Sequence, residues 1–211
     1  HGIGAVMYGL LRQISGRHEV TLVSFCDKRE LALSADLKEL PIRFHAVARS
    51  KGVQENVWLN LGLIATRLLQ LVRGLLLWQP YFVGRFYHQR MARLIEQLAA
   101  GSSYDIVQVE TVQMGQYFRH TGGSKRILYA LDLASRPAYR RYKSAASFLA
   151  RSRAYLEWCK GVLFERHMAR KFDRILCVTE QDEMLLARST SSRRISYLPL
   201  GADVAGQVPP Y

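Results

Sequence analysis

The feature that most constrains the fold is the alternation of short apolar runs with helical patterns between Leu163 and Asp203, which reads LFERHMARKFDRILCVTEQDEMLLARSTSSRRISYLPLGAD. A helix ending near Lys171 precedes a buried strand at Arg174 to Val178, and a helix opening at Thr179 precedes a short strand at Ile195 to Leu198. Strands that alternate with helices are joined by crossover connections, which produce a parallel sheet covered by helices. This segment therefore predicts an α/β fold.

The same alternation continues through the rest of the chain. Further strands are predicted at Glu19 to Phe25, Ile42 to Val47, Tyr104 to Glu110 and Arg126 to Leu131. Helices are predicted between Gly4 and Gly16, and at Lys28 to Leu40, Val57 to Trp78, Val83 to Leu98 and Ala150 to Lys171. The whole pattern predicts a Rossmann-like parallel sheet with helices on both faces.

The composition is that of a folded and strongly basic protein. The 211 residues are 49% hydrophobic and 22% charged, which is enough apolar material for a full core and speaks against disorder. A net charge of +13 favours nucleic acid, anionic lipid or phosphorylated substrates as partners. Cys26, Cys159 and Cys177 lie far apart without a CxxC pair, so we expect buried thiols in a reducing compartment, with no zinc site and no disulfide.

The segment from Val57 to Trp78 is conspicuously apolar, but we do not expect it to cross a membrane. Arg67 and Arg73 would lie near the bilayer centre, where insertion scales assign about 2.5 to 3.5 kcal/mol to each. The polar residues gather in one arc, which is typical of a helix in a core or at a membrane interface. The next helix carries Arg85, Arg90 and Arg93, so the two helices form either one cationic surface or two solvated faces.

Two predicted strands are followed closely by carboxylates. Glu110 closes the strand YDIVQVE, and Asp132 follows the strand RILYAL, with Ser135 close behind. In an open parallel sheet, ligands bind outside the carboxyl ends of the strands, so both carboxylates are expected at that edge. They are candidate catalytic residues. Capping of a helix or loop is an equally good explanation, because Asp and Ser commonly start helices.

Two short patterns have both a binding and a purely structural interpretation. Gly2 and Gly4 form a turn ahead of the first helix, which either directs backbone N–H groups toward a phosphate or is a tight turn and nothing more. Aromatic and basic residues alternate from Tyr139 to Lys143. That alternation is typical of single-stranded nucleic acid binding, but it would equally suit lipid headgroups or another anionic ligand, and no nucleic-acid-binding motif accompanies it.

Several stretches carry a resemblance to a known family. They are GxG and LLRQISGRHEVTLVSF near the start, YDIVQVE, LDLAS, and FERHMARKFDRILCVTEQDE followed by YLPLGAD. In this order they resemble the N-terminal domain of GT-B-fold family-4 glycosyltransferases, especially those of bacterial exopolysaccharide clusters. The resemblance covers nearly the whole chain.

The resemblance implies an acceptor-side Rossmann-like domain at residues 1–198 and a linker at 199–211 that leads to a C-terminal domain. It implies a nucleotide-sugar donor, with no separate cofactor and no metal. Gly2 and Gly4 would lie near the donor diphosphate, and Glu110 and Asp132 would face a glycan or polyprenyl-linked acceptor. Gly201 and Asp203 would form the turn toward the second domain.

The resemblance also implies a fragment, which is expected to be inactive without its C-terminal domain. The family's first strand would be missing, which predicts a gap of roughly 10 Å between the strands at residues 19 to 25 and 104 to 110. The expected location is the cytoplasm, with peripheral attachment to an anionic inner membrane face, and no nucleic acid partner. Two alternatives stay open, a noncatalytic peripheral membrane module and a sugar-nucleotide epimerase of the same architecture.

Overall fold

The computed structural model describes residues 2–27, 37, 39–48, 80–133, 135–190 and 194–199. The chain divides into two compact units, His1–Asn56 with Leu200–Tyr211, and Val57–Pro199. The helix predicted at Val57 to Trp78 lies outside the described residues, as do Gly201, Asp203 and most of the helix predicted at Lys28 to Leu40. The domain boundary predicted at residue 198 stays a prediction.

The first unit contains one described helix and two strands. Helix α1 spans Gly2–Ile14, strand β1 spans Val20–Cys26, and strand β2 spans Ile42–Ala48. The two strands pair in parallel, with Val20 opposite Ile42. The sequence predicted both strands to within one residue at each end, but α1 begins at Gly2 and not after Gly4.

The second unit contains a four-stranded parallel sheet. Its strands are β3 Ile106–Glu110, β4 Lys125–Ala130, β5 Arg174–Cys177 and β6 Ile195–Tyr197, in the order β3-β4-β5-β6. Its helices are α2 Tyr81–Gly84, α3 Gln89–Gly101, a 3₁₀ helix Val112–His120, α4 Ser135–Ser144, α5 Phe148–Ala169 and α6 Glu180–Thr190. The predicted α/β class with parallel strands is confirmed.

The helix predicted at Val83 to Leu98 is interrupted between α2 and α3. The buried Tyr117 hydroxyl accepts a hydrogen bond from the His88 backbone N–H at 2.6 Å and donates one to the Phe86 carbonyl at 2.8 Å. The His88 ring then accepts from the Arg90 N–H and caps α3. A contact from the 3₁₀ helix thus binds backbone groups that a continuous helix would have used, which explains the break.

The core of the second unit joins the sheet to the 3₁₀ helix, to α6 and to the carboxyl-terminal part of α5. Its central side chains include Val112, Leu128, Met168, Phe172, Ile175 and Cys177. An apolar stripe along α5, formed by Tyr155, Trp158, Cys159 and Val162, is not part of this core. Tyr155 is exposed and the other three are half-buried, because that half of α5 packs on α4.

The start of α6 forms as the sequence predicts. The Thr179 hydroxyl accepts a hydrogen bond from the Asp182 N–H at 3.1 Å and donates one to Asp182 Oδ2 at 2.7 Å. Asp182 is buried, and its other oxygen accepts from Arg136 of α4 at 2.8 Å. The local cap is therefore also a contact between two helices.

Strands β1 and β3 belong to different sheets. The gap predicted between them concerns the arrangement of the two units and stays a prediction. Within the ranges that the structure describes, no helix combines the length and the apolar character needed to span a bilayer.

Candidate functional site

The carboxyl ends of β3 and β4 lie beside each other. Glu110, the last residue of β3, is opposite Tyr129 in the parallel register. The Thr111 N–H donates to the Tyr129 carbonyl at 2.9 Å, and β4 ends where the Leu131 N–H folds back onto the same carbonyl at 3.1 Å. The sequence prediction that Glu110 and Asp132 follow neighbouring strands at one sheet edge is therefore confirmed.

Glu110 is half-buried, and its two carboxyl oxygens differ. Oε1 accepts a hydrogen bond from Gln108 Nε2 at 2.6 Å, whereas the buried Oε2 accepts none from any described residue. Burial raises the pKa of Glu110 to about 7, and the Gln108 hydrogen bond only partly opposes this effect. Near neutral pH, Glu110 is thus a carboxyl group that can take up or release a proton.

Thr111 follows Glu110 in a strained backbone conformation. Its φ of 70° and ψ of 146° lie close to a region that is almost restricted to glycine, and threonine is β-branched. Such a residue costs roughly 1 to 3 kcal/mol and persists only where its surroundings enforce it. The strain lies between the strand that carries Glu110 and the 3₁₀ helix, a position where strained residues often serve function.

A second buried acceptor lies in the first turn of the 3₁₀ helix. Gln113 Oε1 has no hydrogen-bond partner among the described residues. Because buried polar atoms are normally paired, two unpaired oxygens within four residues are unusual. Both atoms are acceptors when Glu110 is ionised, so a ligand that pairs with either of them must supply donors, such as hydroxyl or amine hydrogens, and not phosphate oxygens.

Tyr129 responds electrostatically to the same carboxylate. Burial raises the pKa of the Tyr129 hydroxyl, and the negative charge of Glu110 raises it further. Tyr129 therefore stays neutral at physiological pH. Glu110 is the titrating group of this pair.

The other predicted site residues have different surroundings. Asp132 is exposed beyond the end of β4. Gly2 and Gly4 belong to the first unit, where they form the first turn of α1 and not a loop ahead of it, and the space around Gly4 is open. Backbone N–H groups of a first helical turn have no intrahelical partner, so the predicted phosphate contact would shift from a loop to a helix terminus. Their binding role stays a prediction.

Sequence reasoning missed Glu165, which is only 5% exposed. This residue of α5 accepts hydrogen bonds from the Ser135 N–H at 2.7 Å and the Ser135 hydroxyl at 2.8 Å, at the first turn of α4. One signal was available, since Glu165 lies seven residues after Trp158 on the apolar side of the helix. Thr111 and Gln113 carried no such signal, because a positive φ and an unpaired oxygen are consequences of tertiary packing.

The cysteines and a surface depression in the first unit are further features of the described residues. Cys177 is buried, and burial raises the pKa of its thiol to about 12, whereas Cys26 and Cys159 are half-buried, so one of the three predicted buried thiols is confirmed. A shallow depression in the first unit is lined by Gln13, Ile14, Arg17 and His18. Among the described side chains, no cluster of His, Cys, Asp and Glu is suited to holding a metal ion.

The chain was compared with protein-family models, with curated proteins and with solved structures, and none of the three comparisons found a match.

Proposed function

We propose that the chain is the acceptor-side domain of a glycosyltransferase, which transfers a sugar from a nucleotide-sugar donor to a hydroxyl of a glycan or lipid-linked acceptor. The observation that carries the proposal is the buried Oε2 of Glu110, which has no partner among the described residues, at the carboxyl end of a parallel strand. A sugar hydroxyl supplies the donor that this oxygen lacks.

In the proposed reaction, Glu110 accepts the proton of the acceptor hydroxyl. The acceptor oxygen forms a bond to the sugar's anomeric carbon while the bond to the diphosphate breaks, and the nucleoside diphosphate leaves. A base with a pKa near the working pH is well suited to this transfer. The exposed Asp132 is proposed to orient the acceptor at the same edge, without taking the proton.

The test uses this domain as part of the longer protein that the resemblance implies, because the domain alone is expected to be inactive, with labelled nucleotide-sugars and a set of oligosaccharide and polyprenyl-diphosphate acceptors. We expect Glu110→Gln to lower the transfer rate by about 10² to 10⁴, the usual contribution of general acid–base catalysis. Asp132→Asn should weaken acceptor binding by roughly tenfold, since it removes one charged hydrogen-bond acceptor. The exposed Glu180→Gln on α6 serves as the matched control and should leave transfer unchanged.

A second measurement keeps the test independent of the donor. Saturation-transfer NMR with the acceptor alone should show sugar protons close to the protein in the unaltered chain. In the separate transfer assay of the longer protein, which needs the donor, the rate should rise with pH to a plateau above about 7, a limb that Glu110→Gln lacks. Full activity of Glu110→Gln, with the same pH limb, would contradict the proposal.

A further inference from the structure

The two helices α4 and α5 form a hairpin whose turn presents apolar side chains to solvent. Residues 145–147 connect the helices, and α5 begins with Phe148 and Leu149. Phe148 is 86% exposed and Leu149 is 80% exposed, more than any other large hydrophobic residue described. We call residues 145–149 the hairpin tip. Single exposed apolar residues are ordinary, but two adjacent ones at a projecting turn indicate a contact with something apolar.

The hairpin tip is held in place by hydrogen bonds. The Ser147 hydroxyl accepts from the Ala150 N–H at 3.2 Å and caps α5, and Arg151 donates to the Ala145 carbonyl at 3.2 Å. Its apolar side chains are therefore presented by an ordered turn, so little conformational entropy is lost when they are buried.

The surroundings of the hairpin tip are uniformly basic. Residues 133–156 contain six Lys or Arg and no Asp or Glu. One of the six, Arg136, is paired with Asp182 and Gln181 of α6. The other five are Arg140, Arg141, Lys143, Arg151 and Arg153. Apolar side chains surrounded by cations match a surface that is apolar inside and anionic outside, which is the description of an anionic bilayer.

Four aromatic residues behind the hairpin tip support the same partner. Tyr139 and Tyr142 of α4 contact Trp158 of α5, with ring centroids 5.0 and 6.2 Å away, and Tyr155 contacts both Tyr142 and Trp158. Tyr and Trp are enriched at membrane interfaces, where an apolar ring carries a polar atom. Because these rings pack on one another, they are poor stacking platforms for nucleic acid bases.

We propose that the hairpin tip docks on an anionic lipid bilayer, with Phe148 and Leu149 inserted between the acyl chains and the five cations against the lipid phosphates. This surface differs from the cationic surface of Arg67, Arg73, Arg85 and Arg90 that the sequence suggested for membrane attachment. It also does not depend on the reaction proposed for Glu110, since binding to vesicles is measured without any sugar donor.

The test is co-sedimentation of the purified chain with phosphatidylcholine vesicles, prepared with or without phosphatidylglycerol. We expect the chain to bind the anionic vesicles and to be released by salt. Phe148→Ser with Leu149→Ser should lower the partition coefficient at least about tenfold, because burying each side chain is favourable. Replacing Arg140, Arg141 and Arg153 by Gln should lower it by about a hundredfold, at roughly fivefold for each charge.

Matched controls locate the surface. Met184 and Leu185 are an exposed apolar pair on α6, and their double Ser variant should bind as the unaltered chain does. A Gln variant of Arg85, Arg90 and Arg93, which are exposed cations at the end of α2 and on α3, should lose little. Circular dichroism and thermal unfolding check that every variant is folded.

Three outcomes would overturn the proposal. The unaltered chain could fail to bind anionic vesicles, or it could bind them equally well without Phe148 and Leu149. In the third outcome, the hairpin-tip variants bind vesicles as the unaltered chain does but lose a different interaction. That interaction is either dimerisation, measured by sedimentation equilibrium, or salt-sensitive oligonucleotide binding. That result would assign the hairpin tip to a second copy of the chain or to nucleic acid.

Discussion

Glu110 and Glu165 are both acidic residues with buried atoms in the second unit, yet their surroundings are opposite. Glu165 places both carboxyl oxygens on Ser135, at the start of α4. Glu110 pairs one oxygen with Gln108 and leaves the other without a described partner. The first carboxylate is an internal cap that joins two helices, and the second is a group whose burial is only partly compensated by the described residues.

The comparison shows that burial of a charge does not by itself identify a functional residue. A buried carboxylate that accepts hydrogen bonds at a helix start stabilises the fold, since its charge also meets the positive end of the helix dipole. A buried carboxyl group with an unpaired oxygen costs free energy, because nothing in the protein replaces the water that it has lost. Such a cost is expected where a ligand completes the hydrogen bonds.

The largest effect is expected for Glu165→Ala. Removing the carboxylate leaves the Ser135 N–H and hydroxyl buried without partners, which should lower the free energy of unfolding by about 3 to 5 kcal/mol. Urea denaturation followed by circular dichroism measures the change. Glu180→Ala, at an exposed residue in the first turn of α6, is the control and should cost less than about 1 kcal/mol. If the two variants lose the same free energy of unfolding, the hydrogen bonds from Ser135 to Glu165 do not stabilise the fold.

Whereas Glu165→Ala should destabilise the chain, Glu110→Gln should stabilise it, and this gain should depend on pH. The pKa of Glu110 rises from 4.5 to about 7 on folding, so between these values the folded chain holds more protons than the unfolded chain. The protonated Glu110 makes its full contribution to stability below about pH 4.5. This contribution is lost as the pH rises through about 7, which lowers the free energy of unfolding by at most roughly 3 kcal/mol.

The Gln variant has no such ionisation, so its free energy of unfolding should exceed that of the unaltered chain above pH 7. Denaturant titrations from pH 4.5 to pH 8 measure both profiles. If the free energy of unfolding depends on pH equally in the two proteins, Glu110 ionises freely in the folded chain. Its burial would then give no reason to assign it a functional role.

A smaller loss of stability is expected for a substitution where α4 and α5 approach each other beside Glu165. A methyl group on Gly161 would lie 3.1 Å from Ser135 Cα, a backbone atom that cannot rotate away. Gly161→Ala should therefore lower the free energy of unfolding by about 1 to 3 kcal/mol, although Ala favours a helix by about 1 kcal/mol. Gly9→Ala in α1, where the space is open, should not destabilise the chain. A gain at Gly161 would mean that the helices can separate without loss of the Ser135 contact.

The smallest effect is expected beside Glu110, at Thr111. Thr111→Gly should raise the free energy of unfolding by about 1 kcal/mol, because glycine adopts a positive φ without steric strain. Thr111→Ala keeps the Cβ atom and should show no such gain. If the two variants unfold alike in urea, the backbone at Thr111 stores no strain, and the unpaired oxygen of Glu110 alone distinguishes this edge of the sheet.

The sequence was most informative where the causes are local. Period-2 and period-3.6 patterns located the described strands to within two residues at either end, and Thr179 marked the start of α6. The rule for parallel sheets was enough to place Glu110 and Asp132 at one edge. Local patterns failed at the break between α2 and α3, because Tyr117, which bonds there, is 29 residues away from His88 in the chain.

By itself, the sequence determined the α/β class, the parallel strands of the second unit and the two strand ends that are followed by carboxylates, since each depends on spacing along the chain. Only the tertiary structure distinguished the two buried glutamates, exposed Phe148 and Leu149 at the hairpin tip, and gave Thr111 its positive φ. The reason is physical. Desolvation, hydrogen-bond satisfaction and backbone strain are set by atoms that come from distant parts of the chain, and no pattern of neighbouring residues records which atoms those are.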